Sequence, residues 1–513
     1  MKNESHTEHQ DKSFLGHPKG LFILFLTEMW ERFSFYGMKA LLIHYLVKYH
    51  LFSDESGNLI VGSYAAMVYA LPVIGGYLAD RYLGFRKAVV FGAIMLVLGH
   101  LGLAFEGSKA YVDAAGNVVR DGFALDVFFF SLSLIILGVG FLKANISSIV
   151  GALYEENDQR RDSGFTIFYM GINLGSFMAT LLCGYLGETY GWGYGFGAAG
   201  IGMLFGLVTF IYGQKFLHGK AEPKDKELLS APLFGPVNRE WLIYILAVLS
   251  LVGISQMVQN HTIVDWMLRI AGLISLIMII YFGVTTEKVV RERLFALTIL
   301  IIFSVVFWAL FEQAYTSLNL YAERVTDRNF FGWEIPGSWY LSLNALFIIL
   351  FAPVVASVWV RLGKYDPNVV VKFGIAIVLV GLGFGALVFG IETTAAGTKI
   401  AMIWLVLAYF FHTIGELCLS PVGLSSVTKL APQKIVGFMM GVWFLATAAS
   451  EFIAALLANL AKMDTNGGEV EDIGLAVTAY QNLFSTLFYA GLIIGGFLLL
   501  ISPLVKKLMH GVK

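Results

Sequence analysis

The chain has 513 residues, 57% of them hydrophobic and only 14% charged, with a formal net charge of −1 and a mean hydropathy of +0.73. A soluble protein of this length needs far more polar surface, so the composition marks an integral membrane protein in a lipid bilayer, and the balanced charge argues against a nucleic-acid partner. Cys183 and Cys418 both lie in apolar runs, which argues against a disulfide framework or a thiolate metal site, and neither HExxH nor a nucleotide-binding loop is present, "HGKAE" lacking the first glycine and the hydroxyl.

The opening segment, "MKNESHTEHQDKSF", is polar and mixed in charge and reads as a cytoplasmic tail with no signal peptide. After it, apolar runs near the length of about 20 residues that a bilayer demands recur fourteen times. The first six cover 20–48, 60–80, 87–106, 124–152, 164–186 and 193–215. A pair follows at 240–258 and 263–285, then six more at 293–322, 338–361, 368–391, 400–428, 434–461 and 477–505. The expected division is a tail (1–19), a six-helix bundle (20–216), a cytoplasmic linker (217–239), an inserted transmembrane hairpin (240–285), a second six-helix bundle (286–505) and a tail (506–513). With the N-terminus inside, 24 Lys and Arg fall on the cytoplasmic side and seven on the other. Both termini are therefore expected in the cytoplasm.

Two loops carry a repeated signal. "GGYLADRYLGFRKA" (Gly75 to Ala88) joins the second and third spans, and a degraded echo, "VWVRLGK", occupies the matching loop of the second half. The first stretch resembles the loop signature of the major facilitator superfamily. That resemblance implies an all-α membrane fold of twelve core helices in two bundles, rocking about a midplane site, with the extra pair inserted between them. It also implies that Asp80 and Arg86 tie helix ends together at the cytoplasmic gate.

Charges inside spans are costly and normally face a partner or a watery cavity. The basic ones are Arg32, Lys39, Lys143 and Arg269; the acids clearly inside are Glu28, Glu31, Glu312, Glu416 and Glu451. "EMWERFSFYG" opens this set. A helix turns about 100° per residue, which puts Glu28, Arg32, Phe35 and Lys39 on one stripe with Glu31 about 60° away. Lys39 and Glu312 each lie about 19 residues from the inner ends of their helices, a depth at which the two side chains can pair. Lys143 and Glu416 fall about 9 and 12 residues from the cytoplasmic end, and Arg32 shares that layer. The first half thus carries positive charge, and the second negative charge, at one depth.

Static helix glue would explain such charges if each had a fixed partner. Aromatic residues crowd the same regions, however: Tyr36, Tyr69, Trp308, Tyr315, Trp443 and Phe444. "MGINLGS" and "GELCLSPVGLS" allow close packing or bending. A cavity with a cationic wall, an anionic wall and aromatic pockets suits a zwitterion with varied apolar side chains. Arg269 and Asp265, four apart, read as a local helix pair. His412, one turn before Glu416, reads as a packed neutral ring in preference to a proton relay. Glu451 either lines the cavity or pairs with a helix-end hydroxyl.

"EMWERFSFYG" resembles the ExxERFxYYG motif of the proton-dependent oligopeptide transporters, "GFTIFYMGINLGS" their second signature and "GELCLSPVGLS" their tenth-core-helix segment. The likeness covers essentially the whole chain, including the helix pair of bacterial members. It implies that Arg32 and Lys143 bind the peptide carboxylate, Glu416 the amino terminus, and Asn173 and Asn344 the peptide backbone, with Tyr36, Tyr69, Trp308 and Trp443 around them. Glu312, Glu28 and Glu31 are the implied proton-coupling group, with Lys39 beside Glu312. Phe35 replaces a motif tyrosine, and Ala144 and Ala345 stand where prolines are usual, which bears on side-chain preference and helix bending.

The expected function is proton-coupled symport of di- and tripeptides and peptide-like compounds by alternating access, in the cytoplasmic membrane of a bacterium, with protons as the coupling ion and no cofactor or metal. The alternative is another small organic or inorganic ion in the same fold, such as nitrate or a drug-like molecule. That substrate needs only one charged wall, which Glu416 opposite Lys143 argues against. A channel would show charge rings or a filter loop, and an enzyme a nucleophile–base pair or metal ligands; neither is apparent.

Overall fold

The computed structural model describes residues 13–155, 158–235, 237–463, 465 and 469–512. Most of the expected N-terminal tail, with Lys2 and Lys12, lies outside the described residues, as does Lys513. Among the described residues, thirteen helices are long and apolar enough to cross a membrane. A further long helix, α1 (Lys19–His44), carries Glu28, Glu31, Arg32 and Lys39 within its length. The others are α2 (Asp54–Leu83), α3 (Phe85–Leu103), α4 (Gly122–Ala152), α5 (Arg161–Tyr190), α6 (Trp192–Leu217), α7 (Arg239–Gln259) and α8 (His261–Thr285). The remainder are α9 (Lys288–Arg324), α10 (Gly337–Tyr365), α11 (Val369–Thr393), α12 (Met402–Leu430), α13 (Gln433–Ala461) and α14 (Ile473–Leu508). The strands are pairings of two or three residues in loops. Several helix starts are capped by the side chain that precedes them: Asp121 on α4, Asn368 on α11 and Asp472 on α14 each accept from backbone N–H groups of the first turn. Such caps satisfy donors that a helix leaves orphaned.

The chain forms two compact units. Unit 1 comprises the described residues up to Leu41, with Ala70–Ser108 and Asp121–Gln259. Here α1 lies against α5 and α6. A Cβ on Gly175 of α5 would stand 2.2 Å from the Met29 carbonyl oxygen, so only glycine permits this approach to α1. Helix α7 is held on this unit by Lys87–Glu240 and by the stacked rings of Phe91 and Tyr244, 4.8 Å apart. The loop after α2 turns at Gly84, whose φ of +73° disfavours other residues and whose missing side chain admits the Pro223 backbone.

Unit 2 comprises Leu42–Tyr69, Lys109–Arg120 and Asn260–Lys513. The end of α1 widens into a π-turn over Tyr45–Tyr49, and with the start of α2 it packs among second-half helices. Arg120 fixes the intervening turn: it donates to the His50 and Leu51 carbonyls and lies 4.3 Å over the Phe52 ring. Helix α8 is sparsely packed and presents Ile270, Leu273, Ile277 and Tyr281 outward. Lipid can cover such a face. Arg269 donates to Asp265 at 2.8 Å on this helix, the local pair the spacing predicts.

Helix α9 is not continuous. Regular α-helix ends at Phe311, Glu312–Tyr315 forms a tighter 3₁₀ turn, Thr316 departs from helical geometry, and helix resumes at Ser317. The Gln313 amide bridges the gap, donating to the Ala454 carbonyl on α13 at 2.8 Å and accepting from Ser317 at 2.6 Å. Irregular backbone at membrane depth survives only where protein groups satisfy it.

Candidate functional site

The α1 stripe forms as helical spacing predicts. Arg32 Nε lies 2.8 Å from Glu28 Oε1 and 2.8 Å from Glu31 Oε2, with all three residues buried. The Glu28 contact is a well-aligned hydrogen bond. Glu31 is close but poorly aligned, and neither of its oxygens receives a hydrogen bond. Lys143 of α4 lies within electrostatic reach of Arg32, Glu31, Glu28 and Lys39, and Tyr36 within reach of Arg32. Three cations and two acids thus share one region of unit 1, all of them buried except the half-buried Lys143. Phe35 stands where a hydroxyl is missing from the motif. Its ring has Arg32 Cζ at 5.9 Å and Lys39 Nζ at 6.0 Å, so a π-face supports both cations. Asn173 of α5 donates to the Tyr169 carbonyl and is 6% exposed.

Unit 2 gathers the opposite set. Glu416 of α12 accepts from the Asn344 amide of α10 at 2.8 Å, and the same amide reaches the Thr413 hydroxyl at 3.2 Å. Asn344 therefore orients the carboxylate. Glu312 lies within electrostatic reach of Glu416. Pro421, five residues on, cannot donate into the helix ladder, and such a residue bends a helix at this level.

Beside these carboxylates is a cavity of about 210 Å³ lined by Tyr69, Trp308, Glu312, Trp443, Phe444 and Glu451, among others. It brings together Tyr69, Trp308, Trp443 and Glu312, which the sequence singles out separately, and it places Glu451 on its wall. Thr447 and Ser420 add hydroxyls; the sequence reading omits both. Thr447 has a legible signal, since Phe444, Thr447 and Glu451 fall on one face of α13 by their three- and four-residue spacing.

His412 is a packed ring. It lies 4.8 Å from the Phe384 ring and 6.2 Å from that of Phe311, with the Val380 carbonyl as its backbone partner. At the α2–α3 loop, Arg86 pairs with Glu222 and donates to Gln214 at 3.0 Å, while Asp80 accepts from Lys224 at 2.7 Å. Both residues therefore grip the segment that follows α6. The hydrogen bond from Arg86 holds the Glu222 carboxyl below the usual carboxylate range.

A network absent from the sequence reading lies at the other end of unit 2. Arg324 pairs with Asp54, Lys48 with Glu323, and Arg328 with both Glu323 and Glu334. His44 meets Asn319 at 2.9 Å, and Asn58 donates to Asn459 at 2.9 Å. Among the described residues no group of three or more His, Cys, Asp or Glu is arranged to hold a metal ion.

Residues 86–474 match the family model described as the POT family. An uncharacterized transporter, YclF, of Bacillus subtilis is 39% identical over 98% of this chain and 97% of its own. The di-/tripeptide transporter of Lactococcus lactis subsp. cremoris is 36% identical over the whole of both chains. Among solved structures, a variant of the peptide transporter POT in complex with alafosfalin superposes with a TM-score of 0.79 at 38% identity, covering 97% of each chain. The chain belongs to the POT family, and its fold is the all-α, multi-pass membrane fold that the loop signature implied.

Proposed function

We propose that this chain is a proton-coupled symporter that imports di- and tripeptides across a bacterial cytoplasmic membrane, with both termini inside. The observation that carries this reading is that Glu312 shares one cavity with Tyr69, Trp308 and Trp443 and lies at the break in α9. A carboxylate that loads a proton and the aromatic surfaces that hold a guest thereby sense the same occupancy. The buried Arg32 and the half-buried Lys143 supply a receptor for a carboxylate, and Glu416, oriented by Asn344, one for an ammonium. A zwitterionic peptide has both ends. Asn173 and Asn344 are the expected backbone ligands, and Tyr36 the expected neighbour of the carboxylate.

Coupling follows if Lys39 neutralises Glu312 in one state and withdraws in another, so that the carboxylate holds its proton only when Lys39 is away. Glu28 and Glu31, gathered on Arg32, are the competing carriers. Asp80 and Arg86 act at the cytoplasmic gate through the segment after α6. The similarity to a di-/tripeptide transporter over the whole chain supports the substrate class. The test is proton uptake into proteoliposomes on addition of a dipeptide. Peptide-stimulated acidification is expected; uptake equally fast without any gradient would replace the symporter with a facilitator or a channel.

A further inference from the structure

Helix α14 of unit 2 presents an open apolar stripe that ends in exposed cations. Ile493, Phe497, Leu500 and Leu504 are all exposed, Leu500 to 78%, and their three- and four-residue spacing puts them on one face with Lys507 at its end. Gly496 lies beside that stripe with nothing within 4 Å of where a Cβ would stand, which leaves a shallow notch between Ile493 and Leu500. Just past the helix, the chain meets the start of α9, 218 residues away in sequence: His510 Nε2 lies 2.5 Å from Glu292 Oε2. Arg293 donates to the His510 carbonyl at 3.4 Å, and Lys288 lies 3.9 Å from the Glu292 carboxylate. The two segments together hold five Lys and Arg, at 288, 291, 293, 506 and 507, against two acids, Glu287 and Glu292. Among the described residues, the exposed side chains of Lys506 and Lys507 enter no hydrogen bond or ion pair. A bias towards basic residues at the cytoplasmic ends of spans is general. It does not demand that two distant segments converge there, or that lysines stand unpaired at the foot of an apolar stripe.

We infer that this corner of unit 2 binds an anionic phospholipid, with an acyl chain along the α14 stripe and the phosphate held by Lys506, Lys507 and Arg293. The leaflet is the one at the C-terminal end of α14, cytoplasmic in the orientation proposed above. Only the membrane fold is needed for this, not the identity of the transported substrate. Charge complementarity selects the occupant, because ammonium groups at headgroup level attract a lipid of net negative charge over a zwitterionic one. Lysine stems lie along the last apolar turn while their charged ends stay at the polar boundary. Glu292 is engaged by His510 and Lys288, which keeps it from neutralising Lys506 and Lys507. A soluble phosphate would meet the same cations but gain nothing from the stripe.

The test reads lipid preference at the stripe itself. Leu500→Cys is labelled with bimane, the native Cys183 and Cys418 being buried, and the protein is placed in phosphatidylcholine nanodiscs. Quenching by phosphatidylglycerol brominated midway along its chains is compared with quenching by equally brominated phosphatidylcholine. Phosphatidylglycerol should be preferred by about tenfold, the size expected for two lysine contacts with a headgroup. Adding Lys506→Gln and Lys507→Gln should bring the ratio close to one. Inorganic phosphate, at the ionic strength of a chloride control, should leave the original ratio unchanged. A labelled protein that does not distinguish the two lipids overturns the inference, as does a ratio that survives loss of both lysines. Displacement by inorganic phosphate overturns it in favour of a soluble anion. An equal fall in Lys215→Gln with Lys226→Gln, two basic residues of unit 1, overturns it in favour of net charge.

Discussion

Arg324 grips Asp54 with both arms of its guanidinium: Nη1 donates to Oδ2 and Nη2 to Oδ1, each at 2.7 Å, and the two side chains are only 3% and 2% exposed. The bidentate geometry gives a rigid joint between the first turn of α2 and the last turn of α9. Removing one partner strands the other charge in a dry site, at a cost on the order of 3 kcal/mol. Asp54→Asn should therefore lower the melting temperature in detergent clearly, and Asp54→Asn combined with Arg324→Met should recover part of the loss. A double variant as unstable as the single one would show that packing, and not the stranded charge, dominates.

Glu312→Gln imitates a carboxylate that never releases its proton. Exchange of labelled for unlabelled peptide across the membrane should persist, while accumulation driven by a proton gradient should be lost. One charge moving through 100 mV represents about 2.3 kcal/mol, so the missing drive is easily measured. Accumulation at the wild-type level would transfer the coupling role to Glu28 and Glu31.

Arg32 holds Glu28 by a hydrogen bond and lies beside Glu31, as well as offering a positive face. Arg32→Lys keeps the charge but gives up the planar fork. We expect it to weaken peptide binding by about tenfold or more, read by calorimetry on the purified protein. Lys143→Ala should abolish proton-driven dipeptide uptake. An N-acetylated, and therefore uncharged, amino terminus should in turn make binding insensitive to Glu416→Gln, because only the ammonium engages that carboxylate.

The Arg86–Glu222 pair gives a pH-dependent effect at the loop after α2. Arg86 lowers the folded-state pKa of Glu222, so the stabilisation is present above the unfolded carboxylate value of about 4.3 and vanishes as pH falls through the lower folded value. Glu222→Gln should thus melt below the wild type at neutral pH, and the gap should close in acid. The side chain is 27% exposed, so the shift should be small. A gap that persists unchanged in acid would rule out the ion pair as its source.

The helix pair α7–α8 carries no residue of either candidate cluster. Replacing it with a soluble linker should reduce thermal stability more than turnover per folded molecule. A folded deletion protein with no uptake would contradict this.

The helices were legible because a bilayer imposes one length and one polarity on every span, and the α1 stripe because four-residue spacing places Glu28 and Arg32 side by side. Asp265–Arg269 was legible for the same reason. The break in α9 was not: "FEQAYTSLN" contains neither proline nor glycine, and the kink is stabilised by Gln313 reaching the backbone of α13, a tertiary contact with no local signature. The Asp54–Arg324 network was equally hidden. Its residues sit at span ends, where a basic residue reads as an ordinary interfacial charge. Glu451 was recognised as an intramembrane acid, but only the fold shows which wall it joins.

The interruption of α9 has a mechanical consequence. Past Thr316, the segment Ser317–Arg324 is fastened to the end of α1 and the start of α2 by Asn319, Glu323 and Arg324, through His44, Lys48 and Asp54. Before Glu312, the helix is a separate rod running back to Lys288. A tilt of the fastened end relative to the rod is absorbed at the five residues between, so the backbone at Glu312 acts as a fulcrum. Small angular movement of a short lever then changes the direction in which that carboxylate points, without any need to shear the packed faces on either side.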